Sequence, residues 1–195
     1  MDRVRLFLAY AAWFLLPPAL VFWFVLHPLV NLWRKVGPGV TYAVLTVIMF
    51  TTGFGMYLLR HRVPPTDLGF EPLYAVLGGA FLVGGYAIAW QRRKQLTKRI
   101  LVGLPELAPQ GAPSKLLVEG IYAHIRHPRY VEFTLILAGS CLIANYAAAY
   151  WILAATVVGL YLIVLLEERE LVARFGDEYR RYAERVPRFL PRKRE

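Results

Sequence analysis

Cysteine and acidic residues are scarce in this sequence. Cys141 is the single cysteine among 195 residues, and 13 acidic residues stand against 23 lysines and arginines. One thiol excludes an intrachain disulfide and a cysteine cluster around a metal, so we expect no metal site and assign Cys141, which lies in an apolar run, to packing. The excess of basic residues gives a formal net charge of +10, which calls for an anionic partner or surface.

The positive charge fits a membrane surface better than a nucleic acid. Most lysines and arginines lie between and after long apolar runs, and anionic lipid headgroups attract such segments. Apolar residues make up 57% of the chain, more than a soluble domain of this size usually carries. We therefore expect a multi-pass integral membrane protein that contacts membrane lipids and binds no nucleic acid.

Five apolar runs are near the length of about 20 residues that crosses a bilayer. They cover residues 6–26, 40–59, 73–90, 130–144 and 147–166. Pro17 and Pro18 should kink or split the first run, because proline lacks an amide donor. Only Asn145 and Tyr146 separate the last two runs, which predicts a tight helical hairpin. The third run contains glycines that allow close helix contacts, namely Gly78, Gly79, Gly84 and Gly85.

The predicted fold is a single all-α membrane domain of about five helices, covering residues 1–195. Residues 1–90 hold three N-terminal spans, and residues 91–195 hold a polar loop, the hairpin and an amphipathic tail. The tail has apolar side chains at helical spacing, namely Leu171, Phe175, Tyr179 and Tyr182. Basic segments tend to stay in the cytoplasm, which places the 91–126 loop and the tail there. The basic minority on the outer side is Arg3, Arg5, Arg60 and Arg62.

The stretch 117–130 lies where the polar loop meets the fourth run. Pro128 suits the first turn of a helix, and His127 falls near its cap. Free amides and the positive end of the helix dipole could hold an anion there, with Arg126 adding a forked donor. Tyr122 and Tyr130 offer flat faces for an aromatic ring or a cation.

Glu167 and Glu168 end the last apolar run, and the hairpin returns the chain to the same membrane face as the 117–130 stretch. Neighbours on a helix are separated by about 100°, so one carboxylate is expected to face inward. It could bind hydroxyl groups, attract a cation or pair with Arg126. The alternatives are a headgroup anchor for Arg126 and His127, and a solvated helix end for the two glutamates.

These motifs form an ordered set across residues 116–189. They are Leu117-Val118, Gly120-x-Tyr122, Arg126-His127-Pro128-x-Tyr130, Glu167-Glu168 and Phe175-Gly176-x-x-Tyr179-x-x-Tyr182. The set resembles the integral-membrane methyltransferases that include isoprenylcysteine carboxyl methyltransferase and the phospholipid methyltransferases. Residues before about Trp90 match that family only as generic spans.

The resemblance implies methyl transfer from S-adenosylmethionine to a membrane-embedded lipid-like acceptor, either an isoprenylcysteine carboxylate or a lipid amine. The implied cofactor-binding residues are Val118, Gly120, Tyr122, His127, Pro128, Tyr130 and Glu167. Arg126 and Glu168 are the implied catalytic residues, and Tyr179 and Tyr182 pack the tail over the pocket. The compact chain favours a prokaryotic plasma membrane, with the cofactor site on its cytoplasmic face.

Glu132 departs from the family pattern, in which many members have a small residue at this position. A carboxylate near the membrane is a functional candidate unless it is paired. Glu132 could attract an ammonium head and accept its proton, whereas it would repel a carboxylate acceptor. We therefore count Glu132 as a third candidate catalytic residue and favour an amine acceptor. The alternative is an ion pair with Arg129 or Arg126.

Two other functions remain open. Membrane steroid reductases have a similar C-terminal architecture and use a nicotinamide cofactor, although the intact glutamate pair and five spans favour methyl transfer. A non-enzymatic membrane protein that binds lipids or a partner through its basic face is the other alternative.

Overall fold

The described part of the chain is mostly helical, as the sequence predicted. The structure, a computed structural model, describes residues 2–60, 66–93 and 115–191. The helices are α1 (Asp2–Leu26), α2 (Val30–Leu59), α3 (Pro72–Arg92), α4 (Pro128–Ala144), α5 (Ala147–Phe175) and α6 (Asp177–Arg185), with a 3₁₀ turn at Gly120–Ala123. Four of them, α1, α2, α3 and α5, are long and apolar enough to cross a membrane. The all-α polytopic prediction is therefore confirmed.

Consecutive helices from α1 to α5 run in opposite directions and place the polar segments on two faces. Arg5 at the start of α1 donates to the carbonyl of Ala144 at the end of α4, at 3.0 Å, so these ends share one face. His27, after α1, meets Glu170 near the end of α5, at 2.8 Å. We call the second face the site face, because it also carries the 120–128 stretch and α6. Which face lies in the cytoplasm stays a prediction.

The helix break lies in α2 and not at the prolines of α1. α1 is one helix through Pro17 and Pro18, so the predicted split there is wrong; helices in membranes tolerate proline where neighbouring groups satisfy the freed carbonyls. In α2, Gly37 has φ 82° and ψ 163°, which only glycine adopts readily. Thr41 donates its hydroxyl to the Gly37 carbonyl at 2.7 Å, and this bond satisfies a carbonyl next to Pro38.

Glycines bring α3 and α4 into backbone contact. A Cβ at Gly78 would lie 2.7 Å from the carbonyl oxygen of Gly139, and one at Gly85 would lie 2.6 Å from the Ile136 side chain. The predicted packing role is confirmed for these two glycines, whereas a Cβ at Gly79 would have nothing within 4 Å. This close approach sets the end of α3 beside the first turns of α4.

The predicted hairpin between α4 and α5 is confirmed. Asn145 adopts the left-handed conformation with φ 51°, a conformation that asparagine tolerates better than most residues. Its backbone carbonyl accepts from the Leu68 amide at 3.0 Å, and its side chain donates to the Gly69 carbonyl at 2.8 Å. The segment before α3 therefore holds the hairpin turn by hydrogen bonds, on the face opposite the site.

Candidate functional site

The 117–130 stretch folds as its sequence predicts. Gly120 opens the 3₁₀ turn with φ 60°, a positive value that favours glycine. His127 caps α4 without a side-chain capping bond, and Pro128 occupies the first turn. Val118 lies on the surface and is 39% exposed. The turn and the helix start thus form one wall on the site face.

Two backbone amides just before α4 are occupied by the chain itself. The Arg126 amide donates to the Pro187 carbonyl at 2.9 Å, and the His127 amide donates to the Arg188 carbonyl at 3.0 Å. The segment 186–189, which follows α6, pairs with the residues before α4 in this way. These two amides are therefore not free for an anion, and anion binding by the amides of the first turn of α4 stays a prediction.

Glu168 is the centre of a buried charge cluster. Its side chain is 12% exposed, and it meets three groups from two segments. An Arg126 Nη2 lies 3.2 Å from its Oε1, and His127 Nε2 hydrogen-bonds the same oxygen at 3.1 Å. Arg188 donates to Oε2 from Nε at 3.0 Å and from Nη2 at 2.8 Å. The pairing with Arg126 was among the predictions, whereas Arg188 was not named, because no spacing in the basic tail distinguishes it from its neighbours.

Glu167 also reaches this cluster, so both adjacent carboxylates point toward His127. Glu167 Oε2 lies 3.7 Å from His127 Nδ1, on the other edge of the ring from Glu168. The expectation that one carboxylate alone faces inward is corrected, because a single imidazole has a nitrogen on each side. In the cluster, buried Glu167 Oε2, buried Arg126 Nε and the buried Tyr179 hydroxyl have no hydrogen-bond partner among the described residues. Glu167 Oε2 is an acceptor, Arg126 Nε is a donor and the hydroxyl can act as either, so these three groups are left for a bound molecule.

Aromatic residues pack the tail over the cluster. The Tyr182 hydroxyl donates to the Tyr122 carbonyl at 2.7 Å, and burial raises the pKa of Tyr182 to about 12. Burial also raises the pKa of Tyr122 and Tyr179, so all three hydroxyls stay protonated near neutral pH. The Tyr130 ring meets His127 edge-on at 5.7 Å between centroids, and Phe189 lies 6.1 Å away. These rings exclude water from the imidazole.

Glu132 is paired, but with a different arginine from those expected. Arg92 Nε lies 2.6 Å from Glu132 Oε2, and Arg92 Nη2 lies 3.0 Å from Oε1. The expected partners are wrong, because Arg126 pairs with Glu168 and Arg129 lies over the Trp23 ring at 4.8 Å. The contact between α3 and α4 explains this pairing, since it carries the last turn of α3 to Glu132. Both oxygens of Glu132 are engaged.

An apolar cavity of about 160 Å³ lies between α1, α4 and α5. Its wall includes Leu16, Leu20, Phe133 and Leu160, with Arg129 and Tyr130 at the site face. Tyr130 also contacts His127, so the cavity and the charge cluster share a wall. Across the described ranges, no group of three or more histidine, cysteine or acidic residues could hold a metal ion.

In comparisons with known proteins, residues 73–178 match the phospholipid methyltransferase family. The chain is 35% identical over 91 residues to methanethiol S-methyltransferase 1 of Bradyrhizobium diazoefficiens, covering 44% of this chain and 29% of that protein. It is also 35% identical over 79 residues to protein-S-isoprenylcysteine O-methyltransferase of Schizosaccharomyces pombe, covering 39% of this chain and 33% of that protein. The matched regions thus span about a third of these relatives or less. No solved structure matches the chain significantly.

Proposed function

Since the chain belongs to the phospholipid methyltransferase family, we propose that it transfers a methyl group from S-adenosylmethionine to a membrane-embedded, lipid-like acceptor. The charge cluster carries this proposal. Its members Arg126, His127, Glu167 and Glu168 lie within the region that matches the family, and the cluster keeps a buried acceptor and a buried donor without a hydrogen-bond partner among the described residues. The names of the two relatives specify methyl transfer to sulfur and to oxygen.

The available donor and acceptor suit the polar end of S-adenosylmethionine. Arg126 Nε would donate to the carboxylate of its methionine part, because a guanidinium forms charge-assisted bonds with carboxylates. Glu167 Oε2 would accept from its amino group or from ribose hydroxyls. Tyr122, Tyr130 and Phe189 supply aromatic faces near His127 for the adenine ring. Val118, Gly120 and Pro128 shape the wall through the backbone.

When bound, S-adenosylmethionine supplies a methyl group on a sulfonium; the lone pair of the acceptor bonds to this carbon while the carbon–sulfur bond breaks and its electrons return to sulfur. The protein contributes alignment and removal of water. Glu168 holds both Arg126 and His127 through Oε1, so we assign it as a positioning residue rather than a catalytic one. Both oxygens of Glu132 accept hydrogen bonds from Arg92, so we propose a structural role for Glu132 in place of the base role.

The site face is proposed to lie in the cytoplasm of a prokaryotic cell. Arg92 and Leu116, which flank the polar loop, and the tail belong to this face, and segments rich in lysine and arginine are retained in the cytoplasm during membrane insertion. The acceptor would reach the site sideways from the bilayer, since the cavity between α1, α4 and α5 lies next to the cluster.

The test is calorimetric titration of detergent-purified protein with S-adenosylhomocysteine. Glu167→Gln should weaken binding at least tenfold, or about 1.4 kcal/mol, because it removes the charge that attracts the amino group. Glu178→Gln is the matched control, since Glu178 is exposed on α6, and it should leave the affinity unchanged. Binding of NADPH alone would favour the reductase, and binding of neither ligand would favour a non-enzymatic lipid-binding protein.

A further inference from the structure

Arg129 differs from the three arginines near the site that pair with glutamates. Arg92 pairs with Glu132, and Arg126 and Arg188 pair with Glu168. Arg129, in contrast, has no carboxylate within 4.0 Å among the described residues. Its guanidinium lies over the Trp23 ring, 4.8 Å from the centroid. The ring holds the side chain in place without neutralising its charge.

Arg129 also lines the apolar cavity. Leu16 and Leu20 of α1, Phe133 of α4 and Leu160 of α5 form most of its wall. At about 160 Å³, the cavity is close to the engineered cavity of about 150 Å³ that accepts benzene. It therefore holds part of one apolar chain and has a single positive charge at its polar end.

We propose that Arg129 is a specificity-determining residue that selects an acceptor with a negatively charged head, and that the apolar chain of this acceptor lies in the cavity. The inference rests on the proposed function and narrows its substrate class. An ammonium head would be repelled by Arg129, and Glu132, which could have attracted it, is neutralised by Arg92. A guanidinium in apolar surroundings instead binds a carboxylate or phosphate through two parallel hydrogen bonds.

A bulk anionic phospholipid offers the same head chemistry. The cavity holds only part of one chain, so the second acyl chain of a phospholipid has no place in it, whereas a single-chain acid has no second chain to place. Competition between a single-chain acid and phosphatidylglycerol therefore separates a free acid from a membrane phospholipid.

The experiment is photo-crosslinking of purified protein with dodecanoic acid that carries a diazirine near the chain end. Dodecanol and dodecylamine with the same label are the comparison probes, and mass spectrometry identifies the labelled peptides. We expect the acid to label α1 and α5 peptides at least tenfold more than the amine. Arg129→Gln should reduce this preference to within twofold and leave labelling by the alcohol unchanged. Ala19→Phe, which fills the cavity, should reduce labelling by all three probes.

Arg93→Gln is the matched control, because Arg93 also lies over a tryptophan, 5.6 Å from the Trp90 ring. It is exposed and outside the cavity, so it should keep the preference for the acid. Binding of S-adenosylhomocysteine by each variant shows that it is folded, and Arg129→Lys provides a second test that retains the charge. An unchanged acid preference in Arg129→Gln would overturn the proposal. Equal displacement by phosphatidylglycerol would also overturn it, because the occupant would then be a membrane lipid.

The acceptor role is tested with a membrane lipid extract divided by anion exchange into acidic and basic fractions. With tritiated S-adenosylmethionine, the acidic fraction alone should accept label. Transfer to the basic fraction would refute this inference and leave the proposed function standing. A protein that does not bind S-adenosylhomocysteine would refute the proposed function, and with it any acceptor role for the cavity.

Discussion

The ion pair between Arg92 and Glu132 decides between two roles for Glu132. If Glu132 is a base, its carboxylate must be available to the proton of the acceptor. If Glu132 is a structural partner, its carboxylate joins the end of α3 to α4. Glu132→Gln, Arg92→Gln and the double variant separate these roles. If the pair is structural, the two single variants should be impaired to a similar degree and the double variant should be better than either.

The expected magnitude follows from burial and geometry. The side chains of Arg92 and Glu132 are 10% and 14% exposed, and they share two hydrogen bonds at 2.6 and 3.0 Å. Removing one partner of a buried pair typically costs about 3–5 kcal/mol, but polar contacts between membrane helices average about 0.6 kcal/mol. We therefore expect each single variant to lose about 2 kcal/mol and the double variant to lose about 1 kcal/mol, because its two amides leave no unpaired charge.

The assay is thermal unfolding in detergent, combined with methyl transfer from tritiated S-adenosylmethionine to a membrane lipid extract. For a chain of this size, about 1 kcal/mol changes the melting temperature by roughly 2–4 °C, so each single variant should melt about 4–8 °C lower. Glu119→Gln is the control, since Glu119 pairs with Lys115 on the surface, where its side chain is 75% exposed. Its melting temperature should change by about 1 °C or less.

The two roles differ most clearly in the double variant. A structural pair predicts that activity follows stability, so that adding Arg92→Gln restores activity to Glu132→Gln. A base predicts that Glu132→Gln and the double variant are equally inactive while Arg92→Gln alone retains turnover. This second result would refute our reasoning and restore Glu132 as a catalytic residue.

Two further predictions test the helix contact and the packing of the tail. Gly139→Ala should destabilise the protein by about 1–3 kcal/mol, because its Cβ would lie 2.6 Å from the Gly78 carbonyl oxygen, whereas Gly79→Ala should be neutral or slightly stabilising in the same melting assay. Burial raises the pKa of Tyr182 to about 12, so the contribution of this residue to stability is complete below pH 10 and is lost as pH rises toward 12. When melting temperatures are measured from pH 10 to pH 12, the melting temperature of Tyr182→Phe should decline less than that of the unchanged protein. An identical decline would contradict the burial of a protonated hydroxyl.

Those members of the charge cluster whose positions depend only on the hairpin were predictable from the sequence. Arg126 and His127 precede α4, Glu167 and Glu168 follow the apolar part of α5, and two helices joined by a short turn return these residues to one face. Arg188 was not predictable in this way. Its position depends on how the chain turns at Gly176, which has φ 54°, and on where α6 packs, and neither appears as a spacing in the sequence.

The partner of Glu132 was missed for a related reason. Arg129 and Arg126 are near Glu132 in sequence, but Arg92 reaches it through the contact between α3 and α4. This register is set by glycine contacts about two and four turns before Arg92, at Gly85 and Gly78, where the packing role was predicted but the partner helix was not. The helix break was misplaced although a signal existed: a glycine followed by a proline marks a turn, as a pair of prolines does, and Gly37 precedes Pro38.

The arrangement of charges separates two tasks on one membrane face. Four guanidiniums, those of Arg92, Arg126, Arg129 and Arg188, stand against the carboxylates of Glu132, Glu167 and Glu168. Two carboxylates and two of the guanidiniums form the cluster around His127, where a molecule with both charges, such as the methyl donor, can be held. The ion pair between Arg92 and Glu132 serves only to join α3 to α4. The remaining positive charge, that of Arg129, lines the apolar cavity beside Tyr130, and in our proposal it favours an acidic acceptor over a basic one before any chemistry begins.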